Sequence, residues 1–206
     1  ISPHWGQYSL LSSTARIIAA IAGTQSGKTV SGPYWLLQEI ANRGPGDYIT
    51  ATPTYPLLNL KLLPEFRRLF EDVLALGKYL VQPRIFQLSE FGQKRLFGDS
   101  GLDYATNIFF GHASDPDSLE SATAKAAWLD EAGQKKFKLE SYEAILRRLS
   151  IHTGRLLITT TPYYLGWLKS LIWDKRSERH IDCVNFKSTL NPMFPMAEYE
   201  RARSEL

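Results

Sequence analysis

The chain contains a single cysteine, Cys183, so it has no partner for an internal disulfide and no thiolate cluster for a metal. It contains no apolar run long enough to cross a bilayer and no secretory h-region, so a reducing, cytosolic setting without a membrane partner is the simplest expectation. Internal repeats and low-complexity tracts are absent, which excludes solenoids and leaves no room for a large disordered fraction. Charge of one sign is also scarce: a net charge of +3 permits a polyanionic partner without demanding one. No Asn-Lys-x-Asp motif for guanine occurs, which counts against a small GTPase or nucleotide switch. What remains is an ordinary globular composition, 44% hydrophobic and 22% charged over 206 residues, enough for one α/β domain with a full core.

Strand and helix patterns alternate. Arg16 to Ile21 is a short, nearly continuous apolar run, as expected of a strand buried on both faces. A helix is expected from Lys28 to Asn42, with Pro33 causing a kink or a late start. Tyr48 to Ala51 reads as a strand, and Leu58 to Leu76 as a helix. Arg84 to Leu96, with Phe86, Leu88 and Gly92, suggests a hairpin. Asn107 to Phe110, Ala126 to Leu129, Arg155 to Thr159 and Ile181 to Phe186 read as further strands. Helices are expected at Asp117 to Ser121, Leu139 to Leu149, Trp167 to Lys175 and after Pro195. This alternation predicts a mainly parallel sheet covered by helices on both faces, with ligands at the carboxyl ends of the strands.

Ala22-Gly23-Thr24-Gln25-Ser26-Gly27-Lys28-Thr29 follows the first apolar strand and opens a helix. A phosphate cradle needs that context: glycines let successive backbone N–H groups converge on phosphate oxygens, and the following helix offers its positive end. Ala22 stands where the first Gly of the strict pattern usually lies. Lys28 would contact the β- and γ-phosphates, and the Thr29 hydroxyl would ligate Mg²⁺. Asp130-Glu131 ends another apolar strand, so Asp130 is the candidate for the Mg²⁺ water shell and Glu131 for polarising an attacking water. Thr159-Thr160-Thr161-Pro162 could sense the γ-phosphate or simply reflect the β-propensity of threonine. Gln7, beside Trp5, could pair with an adenine edge while the indole stacks, or be ordinary surface. Lys135-Lys136-Phe137-Lys138 and Arg147-Arg148 are solvated faces, phosphate-backbone contacts or a source of an arginine finger.

Taken in order, Pro3-His-Trp-Gly-Gln7, Ala22 to Thr29, Ala51 to Tyr55, Ala127 to Ala132, Thr160-Thr161-Pro162 with Gly166-Trp167, and Asn191-Pro192 resemble the ATPase half of the large terminase subunit of tailed bacteriophages. The resemblance implies a P-loop NTPase fold of the helicase-like kind, in which an additional strand accompanies a catalytic Glu. It also implies an ATP- and Mg²⁺-dependent motor that drives double-stranded DNA into a procapsid, with a helicase-like or other nucleic-acid-translocating ATPase as the alternative. By resemblance, Gln7 serves adenine, residues 22–29 serve the phosphates, and Thr29 and Asp130 serve the metal. Glu131 and Lys28 serve catalysis, and Thr160 and Thr161 couple hydrolysis to movement.

Implied partners are DNA, the portal and the small terminase subunit, in a homo-oligomeric ring that forms in the cytoplasm of the infected host and dissociates to a monomer in isolation. Residues 1–206 would be the ATPase domain, with roughly 180–206 a lid or linker toward a C-terminal nuclease lying outside a fragment. Many relatives carry an Arg where this chain has Thr24 and Gln25, and Leu-Arg-Gly where it has Leu119-Glu120-Ser121. The finger is therefore left open among Arg84, Arg95, Arg147 and Arg148, or is supplied from elsewhere in the ring. A purely nucleotide-binding assembly protein is the third reading, and Glu131 speaks against it.

Overall fold

The computed structural model describes residues 3–119, 123–164 and 166–204. Eight strands form one sheet in the order β3-β4-β5-β2-β6-β7-β1-β8. They are β1 (Ile17–Ala22), β2 (Asp47–Thr52), β3 (Gly77–Leu80), β4 (Ile85–Leu88), β5 (Asn107–His112), β6 (Ala126–Asp130), β7 (Arg155–Thr160) and β8 (Asp182–Phe186). All neighbours run parallel except β3 with β4 and β4 with β5. The strand β7 lies between β1 and β6, as the additional strand implied by the resemblance would.

Side chains alternate between two cores, one on each face of the sheet. Along β1, Ile18, Ala20 and Ala22 join Trp35, Phe66, Phe70 and Trp128 on one face. Ala19 and Ile21 join Ile158, Tyr142, Ile145 and Leu168 on the other. Burial on both faces is why the central strands read as unbroken apolar runs. The first face carries α1 (Trp5–Ser12), α2 (Lys28–Arg43) and a helical stretch over residues 55–73 that alternates α and π turns. The second face carries the helix Leu139–Ser150 and the π-helical Leu168–Trp173. The helix α2 lies directly on β6 because residue 32 is Gly: a Cβ there would fall 2.1 Å from the Trp128 ring.

Two expectations are corrected. The hairpin is β3–β4, beginning at Gly77, and the second half of the segment expected to form it is a helix, Glu90–Phe97. Ser89 starts that helix, its hydroxyl accepting from the Gly92 N–H. The helix α2 starts at Lys28 despite Pro33, so there is no late start. Of the helix expected at 117–121, a 3-10 turn, Pro116–Leu119, is present, and Glu120 and Ser121 lie outside the described residues. Among the described residues no helix is long and apolar enough to cross a membrane.

Candidate functional site

The carboxyl ends of β1, β6 and β7 meet at one edge of the sheet, and pairing registers decide which side chains converge there. Asp130 pairs with Thr159, and Ile21 with Thr160. Between β1 and α2 the backbone turns through left-handed conformations at Gln25 (φ 56°) and Gly27 (φ 83°). Residues in this region turn their N–H groups inward as an anion-binding concavity, and the loop leads into the N-terminus of the 16-residue α2.

A cavity of about 590 Å³ opens over this loop, lined by residues 24–30, Lys61, Glu131, Tyr163, Asn191 and Met193. Lys28 Nζ donates to the Gly23 carbonyl at 3.3 Å and lies 3.9 Å from Glu131 Oε1. Burial lowers the Lys28 pKa, while the carboxylates of Glu131 and Asp130 oppose the shift. The Thr29 hydroxyl lies 3.2 Å from each Asp130 oxygen, and Thr159 Oγ1 donates to Asp130 Oδ1 at 2.7 Å. Trp128 Nε1 in turn donates to Thr159 Oγ1 at 2.8 Å, fixing that hydroxyl's direction. Burial pushes the Asp130 carboxyl from 3.8 up to about 6, only partly offset by the hydrogen bond from Thr159.

Glu131 sits one residue past β6 in a left-handed conformation (φ 55°), which a residue bearing a Cβ adopts only when its surroundings impose it. Its amide is held by the Thr159 carbonyl at 2.7 Å. The residue is buried, yet Oε2 has no hydrogen-bond partner, and the Ser26 and Thr161 hydroxyls are buried and unpartnered as well. Buried polar atoms without partners are rare; of those among the described residues, Glu131 and Ser26 line the cavity, while Trp35 Nε1 and Tyr142 Oη lie in the two cores. Chemically, the site offers a carboxylate with a free acceptor, an ammonium beside it, and a hydroxyl–carboxylate pair of the kind that holds a hard divalent cation.

The residues singled out from the sequence divide into four groups. Thr24, Gln25, Ser26, Gly27, Lys28, Thr29 and Glu131 line the cavity, and Asp130 touches Thr29. Ala22 ends β1 behind it and Gly23 follows, the Gly23 amide donating to the Phe186 carbonyl at 3.2 Å. Gln7 is held against the loop, its Nε2 donating to the Gly27 carbonyl at 3.1 Å and its Oε1 accepting from the His4 amide. It lines a separate small cleft with Pro3, Leu11, Val30, Ser31 and Tyr34. Trp5 is 64% exposed and does not line that cleft; Tyr34 is its aromatic wall.

Thr160 and Thr161 do not line the cavity. Thr160 Oγ1 accepts from the Gly133 amide at 2.8 Å and donates to the Thr161 carbonyl, tying the turn after β6 to the end of β7. Within the run Thr159-Thr160-Thr161 it is Thr159 that reaches Asp130. None of the four arginines considered lines the cavity: Arg84 lies 4.0 Å from the Tyr55 ring centre, Arg95 donates to the Leu74 carbonyl, and Arg147 and Arg148 occupy the last turn of Leu139–Ser150. Residues 182–186 of the stretch expected to be a lid or linker form β8, and beyond it Asn191 Nδ2 donates to the Gln25 carbonyl at 2.6 Å. Sequence reading missed Lys61, Tyr163, Asn191 as a loop contact, and Met193. The alternation of β7 could have separated Thr159 from Thr160, whereas Lys61 carries no local signal.

No family model matches the chain. It is 32% identical over 170 residues to the large terminase subunit of Thermus virus P23-45, a match covering 80% of this chain and 35% of that protein. The chain thus spans about a third of the relative's length. Among solved structures, the large terminase ATPase domain of Thermus phage P74-26 superposes with a TM-score of 0.70 at 22% identity, covering 98% of this chain and 88% of that one. A large terminase from another thermophilic bacteriophage, in complex with ADP, gives 0.76 at 16% identity, covering 97% of this chain and 49% of that one.

Proposed function

Because this chain is related to the phage large terminase subunits and has the fold of their ATPase domain, we propose that it hydrolyses ATP to drive double-stranded DNA into a viral procapsid. The observation that carries the reading is the buried, unpartnered Glu131 Oε2 beside Lys28 in the cavity over residues 24–30.

On this reading the amides of the loop and the α2 N-terminus bind the phosphates, and Lys28 exchanges its contact with the Gly23 carbonyl for phosphate oxygens. Thr29 and Asp130 fit Mg²⁺, being a hydroxyl and a carboxylate already in contact, and the ion supplies neutralisation of phosphate charge. Glu131 orients a water toward the γ-phosphorus and accepts its proton as the bond to the bridging oxygen breaks, releasing ADP and phosphate. Thr159 holds Asp130 in place. Thr160 couples the state of the site to the turn at Gly133, with Thr161 following it in the same segment. Gln7 and Tyr34 border the adenine.

The DNA partner is best accommodated where Lys135 and Lys136 meet Tyr163 and Tyr164 beside the cavity, with Lys138 nearby; Lys135 Nζ lies 5.4 Å from the Tyr164 ring centre. The portal, the small terminase subunit, a homo-oligomeric ring and the infected bacterial cell complete the proposal by kinship. A C-terminal nuclease would lie outside these residues.

The test is steady-state hydrolysis of Mg·ATP by the purified chain with and without duplex DNA. Turnover that is abolished by chelating Mg²⁺ and by Glu131→Ala is expected. No turnover at any protein concentration, with ATP still bound, would instead favour a nucleotide-binding assembly role. For DNA, Lys135→Ala and Lys138→Ala should each flatten the log–log salt dependence of binding by about one unit. An unchanged slope would return both to solvated surface.

A further inference from the structure

Resting on that nucleotide reading, we infer that Lys61 is a second phosphate-facing cation supplied by the chain itself, occupying the role that an arginine finger plays in other P-loop enzymes. Lys61 lies on the π-helical turn Leu58–Leu62 that follows β2, and it lines the same cavity as the P-loop and Glu131. Leu58 and Leu62 are fully buried in the core, so the turn is anchored on both sides of Lys61 while the lysine side chain is exposed. Single π turns set between α-helical segments, as this one is between Tyr55–Leu57 and Leu63–Arg67, widen a helix locally and recur at functional sites.

Lys61 forms no ion pair and no side-chain hydrogen bond among the described residues, whereas many other exposed cations on these helices are paired, such as Arg67 with Glu71 and Arg68 with Glu65. Its charge is close enough to contribute to the lowered Lys28 pKa. Two ammonium groups facing one cavity repel each other until an anion lies between them. A triphosphate supplies that anion, and its γ-group is where charge redistributes during transfer. The loop has Thr24 and Gln25 instead of arginine, and Arg84, Arg95, Arg147 and Arg148 point to other partners or lie outside the cavity lining, so Lys61 is the cation besides Lys28 that the described cavity contains.

A lysine presents a compact charge without the bidentate fork of arginine, so its effect should fall below the ~10³–10⁵-fold quoted for arginine fingers. The experiment compares wild type, Lys61→Ala and Lys61→Arg in kcat and KM for ATP, and in equilibrium affinity for ADP and for ATPγS. The expected result for Lys61→Ala is a kcat reduced by roughly tenfold to a hundredfold and ATPγS binding weakened about tenfold, with ADP affinity unchanged and Lys61→Arg largely active. A kcat within twofold of wild type, or equal weakening of ADP and ATPγS, would overturn the inference. Mixing Lys61→Ala with Glu131→Ala should leave turnover low, because both groups must act in one chain; recovery in the mixture would overturn the same-chain assignment. If wild type binds neither nucleotide, the failure lies in the proposed function and not in Lys61.

Discussion

The two ends of the central strands treat buried charge in opposite ways. At the amino end, Glu39 of α2 is buried but receives Arg155 of β7 and, at 2.8 Å, Arg43 Nε. Arg155 also donates to the Ala15 and Ser13 carbonyls, and Lys125 donates to the carbonyls of Arg43 and Pro45. At the carboxyl end, the Glu131 and Ser26 side chains keep unpartnered polar atoms, and Glu131 and Gln25 hold left-handed backbone. An unsatisfied buried polar atom costs about 1–3 kcal/mol, and a left-handed non-glycine residue costs a similar amount. One end joins the elements together, and the other retains unmet bonding capacity in a place where a ligand could meet it.

The largest test of this contrast is Glu131→Gln. Turnover should fall by about 10³-fold, within the range for loss of a general base, while thermal unfolding shows the same or a slightly higher midpoint. A clear drop in midpoint would mean that Glu131 holds the fold together and would erase the distinction between the ends. Next is Arg155→Met, which leaves Glu39 with one partner. Urea unfolding should show a loss of about 3–4 kcal/mol, with KM for ATP little changed in the surviving folded protein.

The third test is pH. The folded Asp130 holds its proton up to about 6, whereas the unfolded chain releases it near 3.8. The folded state therefore binds more protons in that window, so its contribution is fully present below pH 3.8 and is lost as pH rises through 6, about 3 kcal/mol in all. Turnover should run the other way, rising through pH 6 as the carboxylate needed for Mg²⁺ forms. Denaturant titrations across pH 4–7 on wild type and Asp130→Asn read the stability part, and the substitution should flatten it.

What could be read from residues alone follows the same division. The strands β1, β6 and β7 were legible because burial on both faces leaves an unbroken apolar signature, and the phosphate loop because Gly23, Gly27, Lys28 and Thr29 fall within one short stretch of sequence. The strand β3 was not: its four residues alternate between half-buried and exposed, and its register depends on pairing with β4. The helix Glu90–Phe97 was hidden because Phe86 and Leu88 favour a strand immediately before the Ser89 cap. At the site, Asp130 and Glu131 were legible at a strand end. Thr159 needed the β6–β7 register, and Lys61 needed the tertiary placement of a turn about thirty residues beyond the loop it faces.

The contact of Gly32 with Trp128 also has a kinematic meaning. The helix that begins at Lys28 and the strand that ends at Asp130 interlock like a key in a keyway, and the same indole steers Thr159 onto Asp130. Sliding or rolling of α2 over β6 is blocked, so the metal-side and phosphate-side groups move as one block. Segments joined to that block by a few bonds, such as the chain around Asn191 resting on the Gln25 carbonyl, are where the proposed hydrolysis would leave room for displacement.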